Sequence, residues 1–506
     1  MDACGPVGGI EAGAGPGPLS AVASAECFGH PEPRDERRHI QLLEGQASMS
    51  LGLHRECQQR LREVLSQQLP QVIVEHGNLL QRRSTDGLRL GEHLIPKSGP
   101  VRQKLHQYIS ETPVYDFVFE TLSKELHETR RYESEVRPAL LTSLEDYSDP
   151  LVVAERLVRD MESLPWDYSL LVNLGNEVGQ LIARGVQRFT ICDCVALVTP
   201  DAEFAKVYPT RSGIPARDET LAPKMPLPYW YGFPPPLPLV WDRSLAYLQV
   251  KVTGFGGHYF ETTPLQEAAG TLKAFIGISI GLGLLTIDRV FDPIPAATQF
   301  VIHRHVSSSW VVDRTYALSP SLSTGLRDLK FSYFASLEPV SFVKKALHSI
   351  SSVFQQCDKA RKLVLACQWL FDSYCVTNEL LSFVETAVAM EILLGDKASS
   401  DLMGLGELLR NRCAYLIGTT HSERQEILAD FKKIYDVRCD IVHAGKSRLS
   451  STDWDLFSKL RAICARVIQA EIRLLEKDSY LAPGTELVLP PNVKEKTPPG
   501  PSPAPH

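Results

Sequence analysis

Arg438 and His443 sit five positions apart in the stretch YDVRCDIVHAG, Tyr435 to Gly445. Together, these two residue types are a minimal apparatus for cleaving RNA without a metal. A histidine can move a proton to or from a ribose 2'-hydroxyl or a leaving oxygen. A guanidinium can hold the charge that grows on the phosphate. The spacing alone carries little weight, because Arg34 and His39 repeat it in a stretch of low complexity. Periodicity carries more. At about 100° per residue, Ile427, Phe431, Ile434, Val437 and Ile441 share one helical face. Arg438 falls within that face, and Asp440 points away from it. A guanidinium on a buried face needs an anion, since an uncompensated buried charge is costly. Glu391, on the almost wholly apolar stretch LLSFVETAVAMEILLG, is the expected partner. Gly445 is the expected C-cap, which places His443 at a helix end where its surroundings can tune its protonation. The plainer readings stand beside these: a structural ion pair for Arg438, and a helix-end residue for His443.

The elements that must position these groups are helical. From about residue 342 to 478, six amphipathic or apolar segments follow one another, the last two being SERQEILADFKKIYDVRCDIVHAG and STDWDLFSKLRAICARVIQAEIRLLEK. Residues 39–195 also read as mainly helical. HRECQQRLREVLSQQL and PVYDFVFETLSKELHETRRYE are amphipathic, and SDPLVVAERLVRDMESL opens with Ser148 as expected N-cap and Pro150 in the first turn. Residues 196–341 read as α+β. RFTICDCVALVTP reads as a strand, LAYLQVKVTGFGG as a strand with a turn, and TQFVIHRHVSSSWVVDRTYAL as a hairpin with a serine-rich turn. TPLQ, Thr263 to Gln266, has the pattern of a capping box opening a helix. The 14 apolar residues Ala274 to Ile287 are short of the roughly 20 needed to span a bilayer and read as a buried element.

Overall, the chain is read as a mixed fold: a mainly helical N-terminal region, an α+β middle and an all-helical C-terminal bundle. Residues 1–38 and 481–506 are low-complexity tails expected to be disordered. Net charge is −7 over 506 residues, so no global basic field draws in nucleic acid. Eleven scattered cysteines and the lack of a signal-peptide pattern fit a cytoplasmic protein with reduced thiols, and no membrane association is expected.

Three stretches arrive in an order and spacing that carry a resemblance: VETAVAMEILLGD, then ELLRNRCAYLIG, then IYDVRCDIVHAG. Over roughly residues 350–475 the chain resembles HEPN domains of the ApeA-like type. The shared features are an Ala-x-Glu-x-Leu-Leu helix, an Arg-containing helix ending in Gly, and Tyr-x-x-Arg-x-x-Ile-Val-His-x-Gly. The resemblance implies a small helical bundle and, in active members, a metal-independent endoribonuclease with no cofactor. Two copies would combine their Arg and His in one cleft and leave a 2',3'-cyclic phosphate and a 5'-hydroxyl. Arg438 would then hold the phosphate and His443 would be the acid/base, with Glu391, Tyr435, Asp440 and Arg412 in support. The implied partners are RNA and a second copy of the chain, in anti-phage defence or toxin-like RNA cleavage. The residue after the Arg, often Asn in active members, is Cys439 here. A non-catalytic module for RNA binding or dimerisation, with the middle domain sensing a ligand or partner, is the alternative. From 401 to 470 there are 11 Lys+Arg and 9 Asp+Glu, a weakly basic balance.

Other signals are fainter. Cys192 and Cys194, with His303 and His305, have the residue types of a Cys2His2 zinc site, although two-residue spacing on a strand is also plain alternation. GFGGH, Gly254 to His258, reads as a glycine turn between strands. FPPPLP, residues 233–238, could dock as a polyproline segment. No Walker-type phosphate loop, nucleophile elbow or His-Glu-x-x-His pattern is present.

Overall fold

The computed structural model describes residues 51–480 apart from 131, 176–178, 180–187, 211–240, 260, 289–297, 333–338 and 397–403. The two tails and the polyproline stretch lie outside the described residues.

The N-terminal layer is helical, as its periodicity dictates. Helix α1 (Arg55–Gln68) buries Leu61 and Leu65. A 3-10 run (Arg82–His93), α2 (Pro100–Tyr108), α3 (Pro113–Thr129) and α4 (Pro150–Glu162) close around it. A small sheet of β1 (Ile73–Glu75), β2 (Leu79–Leu80) and β3 (Ala139–Leu140) lies alongside in the order β2-β1-β3. The N-cap of α4 is Asp149 rather than Ser148. Its carboxylate accepts from Leu151 N at 3.0 Å and Val152 N at 3.2 Å, while the Ser148 hydroxyl donates to Glu145 O. Pro150 takes the first helical position, so the capping residue is the one just before it.

Six antiparallel strands make the main sheet in the order β10-β9-β4-β7-β6-β5. They are β4 (Trp166–Asn173), β5 (Arg188–Cys192), β6 (Val195–Val198), β7 (Tyr247–Gly254), β9 (Gln299–Val306) and β10 (Ser309–Ala317). Strand β4 was not expected. It lies within the stretch read as helical, so the sheet begins about thirty residues before the predicted boundary at 195/196. Trp166 to Leu170 alternate apolar and polar, but Tyr168 to Val172 are buried on both faces, and the continuous apolar run from Leu170 to Val172 blurs the period. RFTICDCVALV is a hairpin rather than one strand, with Cys192 paired to Val195 across a two-residue turn. The β9–β10 hairpin turns at Ser307 and Ser308, whose φ values of 46° and 71° are those a tight hairpin requires.

One face of the sheet is covered by helix α6 (Thr263–Gly281), which follows the six-residue α5 (Ala202–Val207). The capping box expected from Thr263 does not form. Thr262 is the N-cap and makes no side-chain cap, while the Thr263 hydroxyl donates to His106 O at 3.0 Å. Docking on the N-terminal layer has claimed the hydroxyl. Beyond α6 come β8 (Leu285–Ile287) and β11 (Leu329–Phe331), which pair with each other, and α7 (Pro320–Arg327) between them in sequence. The C-terminal helices are α8 (Pro339–Gln355), α9 (Cys357–Cys375), α10 (Glu379–Leu394), α11 (Leu405–Ile417), α12 (His421–His443) and α13 (Ser451–Tyr480). All six expected helical segments are present.

A single apolar core runs from the sheet (Leu170, Val250, Ile302) through Phe275 of α6 to Cys367, Phe371 and Val467 of the C-terminal helices. The expected join at 341/342 is therefore no break in packing. Helix α6 carries glycines where it meets these helices. A Cβ on Gly277 would lie 1.9 Å from the Cys367 carbonyl oxygen, and one on Gly281 would lie 2.7 Å from an Ile468 methyl. Among the described residues, no helix is long and apolar enough to cross a membrane.

Alanine in a helix interior gains about 1 kcal/mol over glycine. At Gly277 the overlap with backbone outweighs that gain, because α6 and α9 must separate to relieve it. Gly277→Ala is expected to cost about 2 kcal/mol net, read as a lowered urea midpoint. Gly270→Ala, which would meet only the movable Gln368 amide, is expected to change the midpoint far less.

Candidate functional site

Helix α12 carries the two residues that the chemistry singles out. It starts at Thr420, whose side chain accepts from Glu423 N, and Glu423 in turn accepts from Thr419 N and Oγ1. Ile427, Phe431, Ile434 and Val437 are buried along it, the stripe expected from the sequence. Its partner α10 is capped by Asn378, which accepts from Leu380 N and Leu381 N.

The structure brings Arg438 and Glu391 together. Arg438 Nε lies 3.1 Å from Glu391 Oε1, with the two side chains 18% and 19% exposed. The approach is off the N–H axis, so it is a charge contact rather than an aligned hydrogen bond. Burial pushes the Glu391 carboxyl above the ordinary range, and Arg438 pulls against that rise. Among the described residues, no protein hydrogen bond engages Nη1 or Nη2 of Arg438, and neither atom is sealed from solvent. Tyr435 is half-buried, with its ring centre 5.9 Å from the Arg438 guanidinium. That ring also lies against Gly406, where a Cβ would come within 2.9 Å of it, so Tyr435 sets the spacing of α11 and α12.

His443 is exposed and is the last residue of α12. The Asp440 carbonyl accepts from Ala444 N and Lys446 N, both at 3.1 Å, and Gly445 takes φ +70°. Only a residue at ease in the left-handed region turns the chain so sharply, as expected for the cap glycine. Lys446 then pairs with Asp453 at 2.8 Å, at the start of α13. From Arg438 to His443 a regular helix advances about 7.5 Å and turns about 140°. Within one chain the two side chains therefore leave α12 on different sides. The Asp440 side chain is exposed, as expected. Arg412 serves the end of α10: its Nη1 donates to Leu394 O at 2.9 Å. Lys432, Lys433 and Arg448 stand exposed on and beyond this part of α12, interleaved with Asp436 and Asp440.

Two groups were missed in the sequence. Glu385 of α10 is only 8% exposed, beside Asp372 of α9 and Lys273 of α6, which pair at 2.9 Å. Burial pushes its carboxyl up to about 7, with Asp372 adding to the rise and Lys273 opposing it. The second is Arg461, whose Nη2 donates to Ser373 O and Ser382 Oγ, each at 3.1 Å. Its guanidinium lies over Tyr374 and Phe457, beside a cleft of about 590 Å³ lined also by Asn378, Glu379 and Trp454. The signal for Arg461 was the one that found Arg438, a cation on an apolar helical stripe with Phe457, Cys464 and Ile468.

The zinc set does not assemble. Cys192 and Cys194 lie at the β5–β6 turn, and His303 and His305 on β9, with β4 and β7 in between. His303 Nε2 bonds Pro209 O at 2.9 Å, and His305 packs on Trp310. GFGGH is likewise not a turn between strands. It joins β7 to α6 and docks on the N-terminal layer, with Phe255 N donating to Tyr108 O at 2.7 Å and Tyr259 N, just past the loop, donating to the Glu120 carboxylate at 2.7 Å.

No family model, curated protein or solved structure matches the chain.

Arg438→Ala leaves the Glu391 carboxylate without its cation in a mostly buried place. The expected loss is about 2 kcal/mol, below the figure for a fully buried pair because both groups keep some solvent. The loss should shrink as pH falls and Glu391 takes up a proton, and urea midpoints across pH measure it. Glu385 gives a separate signature. Its folded pKa is raised, so the native state holds the proton longer than the unfolded chain. Stability therefore falls as pH rises from the ordinary carboxylate range through about 7. Glu385→Gln should flatten that slope.

Proposed function

We propose that the C-terminal helices act on RNA as a metal-independent endoribonuclease of the HEPN type, with a cleft shared by two copies of the chain. The supporting observation is the arrangement on α12. Glu391 holds Arg438 through its Nε side, leaving the two Nη groups open, and His443 stands exposed one to two turns further on. Arg438 and His443 diverge within one chain, so a shared cleft is the arrangement in which they can meet one phosphate. Val442, 43% exposed beside His443, gives that surface an apolar element. In the reaction, one His443 takes the proton of a ribose 2'-hydroxyl. The 2'-oxygen bonds to phosphorus, the bond to the 5'-oxygen breaks, and the second copy's His443 supplies the proton that the leaving oxygen takes. The Arg438 Nη groups hold the non-bridging oxygens.

A second reading is a module that binds RNA or dimerises without cutting. Cys439 directly after Arg438, the charge of Arg438 already met by Glu391, and the interleaved surface charge favour it.

Wild type, Arg438→Ala and His443→Ala, each incubated with total RNA in EDTA, decide between them. Cleavage by wild type should leave 2',3'-cyclic phosphate and 5'-hydroxyl ends, and each substitution should slow it by about 100-fold or more. Equal cleavage by all three overturns the catalytic assignment. RNA retained in a gel shift without cleavage establishes the second reading instead.

A further inference from the structure

The Cys192–Asp193–Cys194 turn has chemistry that neither reading of α12 uses. It closes the outermost hairpin of the six-stranded sheet. The two Sγ atoms are 3.3 Å apart, Asp193 between them is exposed, and both cysteines are half-buried. The strand register slips by one residue between Thr190 and Cys192, a bulge that re-aims the Cys192 side chain. The backbone around the pair is held firmly. Ile191 O accepts from Ser351 Oγ at 2.6 Å and from Gln355 Nε2 at 3.3 Å, both on α8, and Cys194 O accepts from Lys251 N at 2.8 Å.

We propose that Cys192 and Cys194 are a reversible dithiol–disulfide pair, oxidised by small-molecule disulfides such as oxidised glutathione. The thiolate of Cys192 attacks one glutathione sulfur, and the other glutathione leaves as a thiolate that takes up a proton. Cys194, losing its own proton, then attacks the sulfur of Cys192 and releases the second glutathione. Two protein thiols and one glutathione disulfide become one protein disulfide and two glutathione thiols. Closing the ring shortens the contact from 3.3 Å to a bond of about 2.05 Å, a shift within reach of side-chain rotation in an exposed turn.

The surroundings select Cys192 as the attacking group. The hydrogen bond with Cys194 is the largest influence on its thiol and holds it down at about 7 against the opposing effect of burial. Burial pushes the thiols of Cys413 and Cys464 up to about 12, that of Cys367 well above its usual value, and that of Cys57 upward as well. Thiolate is the nucleophile, so among these residues reaction concentrates at Cys192. The pair sits where α8, the first of the C-terminal helices, grips the sheet edge, so ring closure stiffens that junction.

The test uses the full chain, equilibrated in glutathione buffers of rising oxidised fraction, acid-quenched and alkylated after denaturation. Peptide mapping should show Cys192 and Cys194 protected together, in a peptide lighter by two hydrogens, while Cys367, Cys413 and Cys464 remain thiols. Cys194→Ser should trap a glutathione adduct on Cys192. That adduct should form at least about tenfold faster than on Cys57, and more slowly as pH falls. Cys192→Ser should leave Cys194 largely unreacted over the same time. Alkylation of both cysteines in oxidised wild type, a lasting glutathione adduct there, or a disulfide to any other cysteine overturns the proposal. None of these outcomes depends on RNA cleavage.

Discussion

The close approach of α6 and α9 at Gly277 governs how the two halves of the chain meet. With no side chain there, one helix backbone rests on the carbonyl of Cys367 in the other. At that distance α6 belongs to both sides. Its inner face covers the strands, and its outer face is part of the C-terminal helical core. The Lys273–Asp372 pair follows from the same approach, and at Gly281 the helix comes close to Ile468 of α13. The helices that carry Arg438 and His443 are thus referenced to the sheet.

Helix α10 repeats one device along its length. It is apolar nearly all round, yet three of its polar side chains are answered by other helices. Ser382 meets Arg461 of α13, Glu385 lies beside the Lys273–Asp372 pair, and Glu391 meets Arg438 of α12. Apolar faces alone tolerate sliding and rotation, whereas a buried charge that must find its counter-charge does not. The three contacts fix α10 against different neighbours, and the orientation of Arg438 is one product of that arrangement.

The helical part of this architecture was legible because amphipathic periods are long and redundant. The stripe from Ile427 to Ile441 exposed Arg438 as an anomaly, and the apolar setting of Glu391 pointed to its partner. Gly445 was legible because a helix end needs a left-handed residue. The strands were harder. β4 alternates only over its first five residues and is buried on both faces, and the β5–β6 hairpin reads as one strand because Asp-Cys is an uncommon turn pair. Thr263 failed as a cap because a tertiary acceptor, the His106 carbonyl, competed for its hydroxyl. Glu385 and Arg461 carried the same signal as Arg438 but lacked a nearby motif to draw attention to them.

The role of α6 also has a consequence in time. During synthesis the helix is complete roughly 190 residues before Ile468 of α13 is made, an interval of about 10–40 s at ~5–20 residues per second. Through that interval the strands already made can cover its inner face. On its outer face, the partner of Gly277 arrives with α9, about halfway through, and that of Gly281 only with α13. The helix that unites the finished core is therefore completed in two stages, its outer face covered first by α9 and last by α13.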